Sequence, residues 1–160
     1  MAVPRAKHYF EAGHFYHLTT RTAEGIHLFI PDDAKKILIG AVSFYRQQRR
    51  WRVCGFVIMS NHIHLVVQAA EGNLGETVAA FKRWTAGQLT NHGTVRQGVW
   101  ERRFDDNAVL DPTELRGVIE YDHFDPVRAG VVARPEDYFW SIARNYAGLS
   151  PVAMKIDRGW

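Results

Sequence analysis

Two apolar segments separated by only two residues constrain this chain more than anything else in it. Trp51 to Met59 and His62 to Gln68 flank the short turn Ser60-Asn61. Both are rich in Val, Ile, Leu and Phe and read as strands. Their apolar character predicts central strands covered on at least one face. The remaining elements arrange themselves around this pair. His14 to Arg21, aromatic and β-branched, reads as a first strand. Pro31-Asp32-Asp33 opens a helix whose Leu38, Ala41, Val42 and Tyr45 fall at i, i+3, i+4 and i+7. A second helix is predicted from about Asn73 to Thr90, with Leu74, Val78, Phe81 and Leu89 on its apolar face. Asn91 to Gly98 reads as a polar loop, and Val99 to Val109 as another strand-like segment. Asp111, Pro112 and Glu114 then form a helix start: a cap, a first-turn proline and a capping-box acid. Leu115, Val118 and Ile119 give that helix its buried face, and Pro126 limits it. A short helix is expected near Trp140 to Tyr146. The order β-α-β-β-α-β-α predicts an α+β fold, an antiparallel sheet with helices packed on one face.

Composition excludes several classes. The chain has 160 residues and a single cysteine, Cys54, so no intrachain disulfide can staple it. Its longest apolar run, Val53 to Met59, is far short of the roughly 18–20 residues that a membrane helix needs. Met1 to Gly13 carries Arg5, Lys7 and Glu11 and does not read as a signal peptide. The expectation is a soluble, cytoplasmic protein with one domain over residues 1–148 and a tail over 149–160. Net charge is +3, the pI is near 9.2, and arginine outweighs lysine. That bias suits phosphate, which the planar guanidinium can grip with two hydrogen bonds.

Chemistry concentrates in two places. His62-Ile63-His64 lies in the second of the paired strands, so both imidazoles point to one face about 7 Å apart at Cα. Two such histidines can converge on one divalent ion, or stand as half-buried strand residues. Their apolar surroundings demand partners for them. The second place is Glu120 to Gly130, where Tyr121 sits near the end of the capped helix and Asp125 follows one turn later. Taken alone, Tyr121 also fits as an amphipathic core tyrosine.

In order along the chain, Tyr16-His17-Leu18-Thr19-Thr20-Arg21, Met59-Ser60-Asn61-His62-Ile63-His64-Leu65, Phe81-Lys82-Arg83 and Gly98-Val99-Trp100-Glu101-Arg102-Arg103-Phe104 are followed by a last set. That set is Tyr121-x-His123-x-Asp125-Pro126-Val127-Arg128-Ala129-Gly130, then Pro135-Glu136-Asp137-Tyr138-x-Trp140-Ser141. Tyr121 stands 57 positions beyond His64. This ordered set resembles the HUH single-tyrosine transposases, in particular their REP-associated branch, over nearly the whole chain. The resemblance implies a ferredoxin-like fold, Tyr121 as nucleophile, and His62, His64 and Asp125 as ligands of Mg²⁺ or Mn²⁺. It also implies single-stranded DNA bearing hairpins, REP-like palindromes, as substrate, and a monomer or homodimer. The chain departs from the family twice: Asp125 replaces a usual amide, and Asp122 replaces a usual apolar residue.

The resemblance further implies cleavage through a 5′-phosphotyrosine with release of a 3′-hydroxyl, a step that a metal-held phosphate and a tyrosine nucleophile can perform. Lys82, Arg83, Arg102, Arg103 and Arg128 are candidate DNA contacts, as are Arg46, Arg49, Arg50 and Arg52; each also fits a solvated face. Trp84 and Trp100 fit core packing or stacking on an unpaired base. His8, His14, His27 and His92 read as surface or strand-edge residues. His123 either orients the phosphate or Tyr121, or bonds the backbone. Two other functions compete: a hairpin-binding protein with little catalysis, and a phosphohydrolase in which the histidines activate water.

Overall fold

The computed structural model describes residues 10–70, 74–91 and 98–158. His8, His92, the start of the second helix at Asn73 and residues 92–97 of the polar loop lie outside them. Four strands form one antiparallel sheet: β1 (Phe15–Arg21), β2 (Trp51–Ile58), β3 (His62–Ala69) and β4 (Asp105–Val109). Their spatial order is β2-β3-β1-β4. With α1 (Asp32–Gln47) between β1 and β2 and α2 (Leu74–Asn91) between β3 and β4, this is the ferredoxin-like split β-α-β arrangement. Three shorter helices follow: α3 (Pro112–His123), α4 (Asp125–Arg128) and α5 (Ala143–Tyr146).

Strand alternation sorts the sheet into two faces. On β3, Ile63, Leu65, Val67 and Ala69 join the main core with Leu38 and Val42 of α1 and Leu74, Val78, Phe81 and Leu89 of α2. The opposite face carries His62, His64 and Val66. There α3 packs through Leu115 and Ile119 onto Cys54, Val66 and Val109. The α+β antiparallel sheet is as the sequence reads, but helices cover both faces and not one. The connection from β4 through Leu110 delivers α3 to the side away from α1 and α2.

Close approach of α3 is permitted at Gly55, where a β-bulge between Val53 and Gly55 interrupts the β2–β3 register. A Cβ there would stand 3.1 Å from Val66 Cγ2 and 3.4 Å from Ile119 Cγ1. The start of α3 follows its sequence signals. Asp111 accepts from the Glu114 amide at 2.8 Å, and Glu114 accepts in return from the Leu110 amide at 3.0 Å.

Two expectations are corrected at the sheet edges. β3 is central, but β2 is an edge strand. Its apolar character is explained by cover along that edge. Ile58 N donates to Trp140 O and Ile142 N to Phe56 O, both at 2.9 Å, while Asp157 N donates to Val53 O at 2.8 Å. The segment after Gly148 is therefore packed along β2, with Met154 in the main core. The strand-like segment at Val99 to Val109 is a strand only from Asp105. Val99 and Trp100 turn into the core, with the Trp100 ring tilted against Phe29 and Phe81, and their pairing with the end of β1 is reduced to an isolated bridge between Trp100 and Thr22. Among the described residues no helix is long and apolar enough to cross a membrane.

Candidate active site

The register of β3 sets the site. His62 and His64 project from the face that α3 covers, and Asp125 comes down onto them from the start of α4. His62 Nε2 lies 2.8 Å from Asp125 Oδ2, and His64 Nε2 lies 3.3 Å from the same oxygen. Pro126 does not swing Asp125 away. Phe124 keeps a near-helical φ of −87° and ψ of −3°, so the chain passes from α3 into α4 with Asp125 still one turn beyond Tyr121. Burial pushes the Asp125 carboxyl up, but hydrogen bonds from His62 and His64 outweigh it and hold it well below the usual carboxylate range.

The donor set fits a divalent cation. One ligand atom from each of His62, His64 and Asp125 lies within 4.8 Å of the others. Both Nε2 atoms already approach the same Asp125 oxygen, and the two rings meet edge-on, 4.9 Å apart and at 73°. Each imidazole has an oxygen behind it: Asn61 Oδ1 lies 2.8 Å from His62 Nδ1, and Thr19 Oγ1 lies 2.8 Å from His64 Nδ1. Donation from Nδ1 to those oxygens leaves both Nε2 lone pairs for the ion, the usual outer arrangement around metal-bound histidine. Two nitrogens and a carboxylate suit Mn²⁺, Mg²⁺ or Zn²⁺.

A second cluster shares His64. Asp122 is fully buried, and His17 Nε2 stands 3.0 Å from both of its carboxylate oxygens. The His17 ring stacks on His64 at 5.2 Å and 25°. His17, His64 and Asp122 also bring one ligand atom each within 4.8 Å of the others, but nearly parallel stacked rings send their lone pairs side by side and not to one point. Sequence reasoning passed over His17, Thr19 and Asn61. Their signal was β1 alternation: His17 and Thr19 share a face, and the β1–β3 register sets Thr19 directly across from His64.

Tyr121 is exposed, with Arg128 folded over it. The guanidinium carbon sits 3.8 Å from the ring centroid, and Nη2 donates to Tyr121 O at 2.8 Å. The same nitrogen is 3.8 Å from Asp125 Oδ1, which connects tyrosine, arginine and the histidine-bound carboxylate. Among the described residues His123 Nε2 is buried without a partner, and its ring packs 5.5 Å from that of Tyr146. Burial pushes its imidazole down, against the pull of Asp122 and Glu120.

The basic candidates separate. Arg83 and Arg102 line a cleft of about 420 Å³ with Trp100 and Phe104, and Arg103 is exposed nearby. Lys82 lines it too, but its ammonium is held by the carbonyls of Glu101 at 2.6 Å and Arg103 at 3.3 Å. Arg46, Arg50 and Arg52 are engaged by Asp157, Thr77 and Gln68 at the other end of the sheet, where Trp51 pairs with Ala69. At about 3.3 Å per residue that end is some 23 Å from His62 along β3. Trp100 packs in the core, whereas Trp84 is half exposed beside Phe44 and Tyr45.

An antiparallel ferredoxin-like sheet carrying a His-x-His strand, with a tyrosine on the helix that brings Asp125 to it, is the arrangement that the resemblance to the HUH single-tyrosine transposases implies. Comparison narrows this class. No family model matches the chain. It is 25% identical over 141 residues, 75% of this chain and 80% of the other, to a protein of Haemophilus influenzae named as a REP-associated tyrosine transposase. It is 24% identical over 119 residues, 73% of this chain and 70% of the other, to the REP-associated tyrosine transposase of Escherichia coli K12. In fold it matches a REP-associated tyrosine transposase solved with a REP hairpin: TM-score 0.76, 19% identity, 97% of this chain and 93% of that one. A Deinococcus radiodurans chain carrying a transposase name matches with TM-score 0.51 and 20% identity, over 76% of this chain and 98% of that one. Sequence relatives and fold together support a place for this chain in the REP-associated tyrosine transposase family.

Proposed function

We propose that this chain cleaves and rejoins single-stranded DNA beside a hairpin, with Tyr121 as the nucleophile. The observation that carries the reading is the joining of Asp125 to both His62 and His64, one helical turn from Tyr121. A divalent ion bound by His62, His64 and Asp125 would neutralise charge on a phosphate oxygen and favour the phenolate. Tyr121 Oη attacks the phosphorus, the bond to the 3′ oxygen breaks, and the phenol proton ends on that leaving oxygen. The product is a 5′-phosphotyrosine and a free 3′-hydroxyl, and reversal onto another 3′ end rejoins DNA without a nucleotide cofactor. Arg128, already against the Tyr121 ring, is placed to accompany the phosphate. The cleft with Arg83, Arg102 and Trp100 is a track for flanking unpaired nucleotides, with Arg103 beside it and Lys82 bracing its wall. One chain supplies the entire set, so a monomer is sufficient for the cleavage step.

The test uses a hairpin-bearing single strand with a labelled 5′ flank and Mg²⁺ or Mn²⁺. The wild-type chain forms a covalent adduct on a denaturing gel that maps to Tyr121. Tyr121→Phe forms none and binds the strand with affinity within about twofold of wild type. An adduct with the phenylalanine variant overturns the assignment of the nucleophile. Hairpin binding by wild type with no adduct in either metal identifies a binding protein without catalysis.

A further inference from the structure

We propose that Asp122 and His17 form a latch that holds the tyrosine-bearing helix on the sheet and thereby sets where Tyr121 stands. The proposal rests on Tyr121 being the nucleophile. Asp122 follows it directly in sequence, yet points the opposite way: Tyr121 is exposed and Asp122 is fully buried. Both Asp122 oxygens lie 3.0 Å from His17 Nε2 on β1. His17 is in turn stacked on His64, one of the two strand histidines. The latch thus joins the residue beside the nucleophile to the ring that holds the ion, with no metal needed to close it.

The packing around α3 makes such a tie consequential. Among the described residues, the apolar cluster beneath this helix has five buried members, Cys54, Val66, Val109, Leu115 and Ile119, with Phe15 and Val118 packed against them. Asp125 holds the far end of the helical path, but through the histidines that the ion would claim. Asp122 provides a second hold, three residues earlier, that ion binding leaves intact. A buried carboxylate without His17 would be costly, so the pair acts as one unit and its members are positioning residues. A second cation between His17, His64 and Asp122 is disfavoured by their stacked rings, and the latch predicts one ion per chain.

Cys54 offers a readout independent of catalysis. It is the chain's single cysteine, fully buried under α3, and burial pushes its thiol up to about 12. It reacts with a thiol reagent only when α3 lifts or the fold opens. The experiment measures single-turnover cleavage at saturating Mn²⁺ and DNA, hairpin affinity, Mn²⁺ stoichiometry, and Cys54 labelling in chelator. It compares wild type, Asp122→Ala, Asp122→Asn and the double variant His17→Ala/Asp122→Ala. A small displacement of a reacting group costs one to two orders of magnitude in rate, so Asp122→Ala should cleave at least about tenfold slower. Its adduct should still map to Tyr121, its hairpin affinity should stay within about twofold, and its Cys54 should label at least about tenfold faster. Asp122→Asn keeps an oxygen to accept from His17 and should stay within about threefold of wild type in both assays. The double variant should cleave no more slowly than Asp122→Ala, as expected for one unit. Wild-type cleavage by Asp122→Ala, unchanged Cys54 labelling, multiplicative loss in the double variant, or two Mn²⁺ per chain would each overturn the latch. If wild type forms no adduct, the catalytic reading fails, while Cys54 labelling still decides whether Asp122 holds the helix.

Discussion

The two faces of the sheet are made by the same strands and obey different rules. Among the described residues, 24 buried side chains form the cluster on the face under α1 and α2, against five under α3. On β3 the contrast is residue by residue: Ile63, Leu65 and Val67 on one side, His62, His64 and Val66 on the other. Apolar burial near 25 cal/mol per Å² puts most of the folding free energy on the first face. The second is held by a small apolar patch and by directional polar ties, His17 to Asp122 and His62 to Asp125. The difference teaches how one sheet can carry a partly exposed polar cluster: the face that holds the histidine pair and Asp125 is not the face that keeps the chain folded.

The largest expected effect tests that division directly. His62→Ala/His64→Ala should remove metal-dependent cleavage by at least about a thousandfold, the scale of several kcal/mol of lost charge stabilisation. Urea denaturation of the same variant should show a modest loss, about 1–3 kcal/mol, because Asp125 is left without its two imidazole partners. Phe56→Ala on the other face should do the reverse. Phe56 is fully buried, so its loss should cost about 3–5 kcal/mol while cleavage per folded molecule stays near wild type. Selective loss of cleavage in Phe56→Ala, or unfolding of the double histidine variant, would break the division.

Much of the apolar face was legible because its signal is periodicity. Leu38, Ala41 and Val42 in α1, and Leu74, Val78, Phe81 and Leu89 in α2, are buried as their spacing predicts. The face of the His-x-His pair followed from strand alternation in the same way. What the pattern could not convey was register and sidedness. Nothing local says that α3 crosses to the opposite face, because Leu115 and Ile119 would look the same on either side. Nor does composition show that β2 is an edge whose apolar residues are covered by the chain from Trp140 to Asp157. Of the site, the placement of Asp125 one turn beyond Tyr121 was readable from spacing, whereas its role as a ligand came only with the family resemblance. His17 was not, because its partner Asp122 lies 105 positions away and meets it only once β1, β3 and α3 are assembled. Asp122 stood out in sequence only as an acid where the family has an apolar residue, and its burial against His17 gives that departure a physical role.

Asp125 gives a smaller effect that separates ion binding from the rest of the site. Asp125→Asn keeps an oxygen facing His62 and removes the charge. Changes in and around a metal's ligand shell cost about 10–100-fold in affinity. Asp125→Asn should therefore weaken Mn²⁺ binding by about tenfold in a calorimetric titration and recover most cleavage at high Mn²⁺. Its Cys54 labelling should stay below that of Asp122→Ala, because the His17 tie remains. Equal labelling in the two variants would mean that one polar tie, and not two, holds α3.

The smallest effect concerns the turn that feeds His62 into the sheet. Tyr138 Oη donates to Ile58 O at 2.5 Å, at the last residue of β2. Burial foremost, with Asp125 and Asp32 adding negative potential, pushes this phenol up to about 12 from an ordinary value of 10. The sign follows from which state holds the proton. An acid with a raised folded pKa keeps its proton more tightly when folded, so its stabilising contribution is complete below pH 10 and is lost as pH rises from 10 through about 12. Tyr138→Phe cannot ionise and lacks this loss. Urea midpoints measured from pH 8 upward should fall more steeply for wild type than for Tyr138→Phe once pH passes about 10. Parallel curves would place the alkaline sensitivity elsewhere. A steeper wild-type curve would show that the outer brace on Ile58, as well as the apolar face beneath, secures the strand end from which the histidine pair is launched.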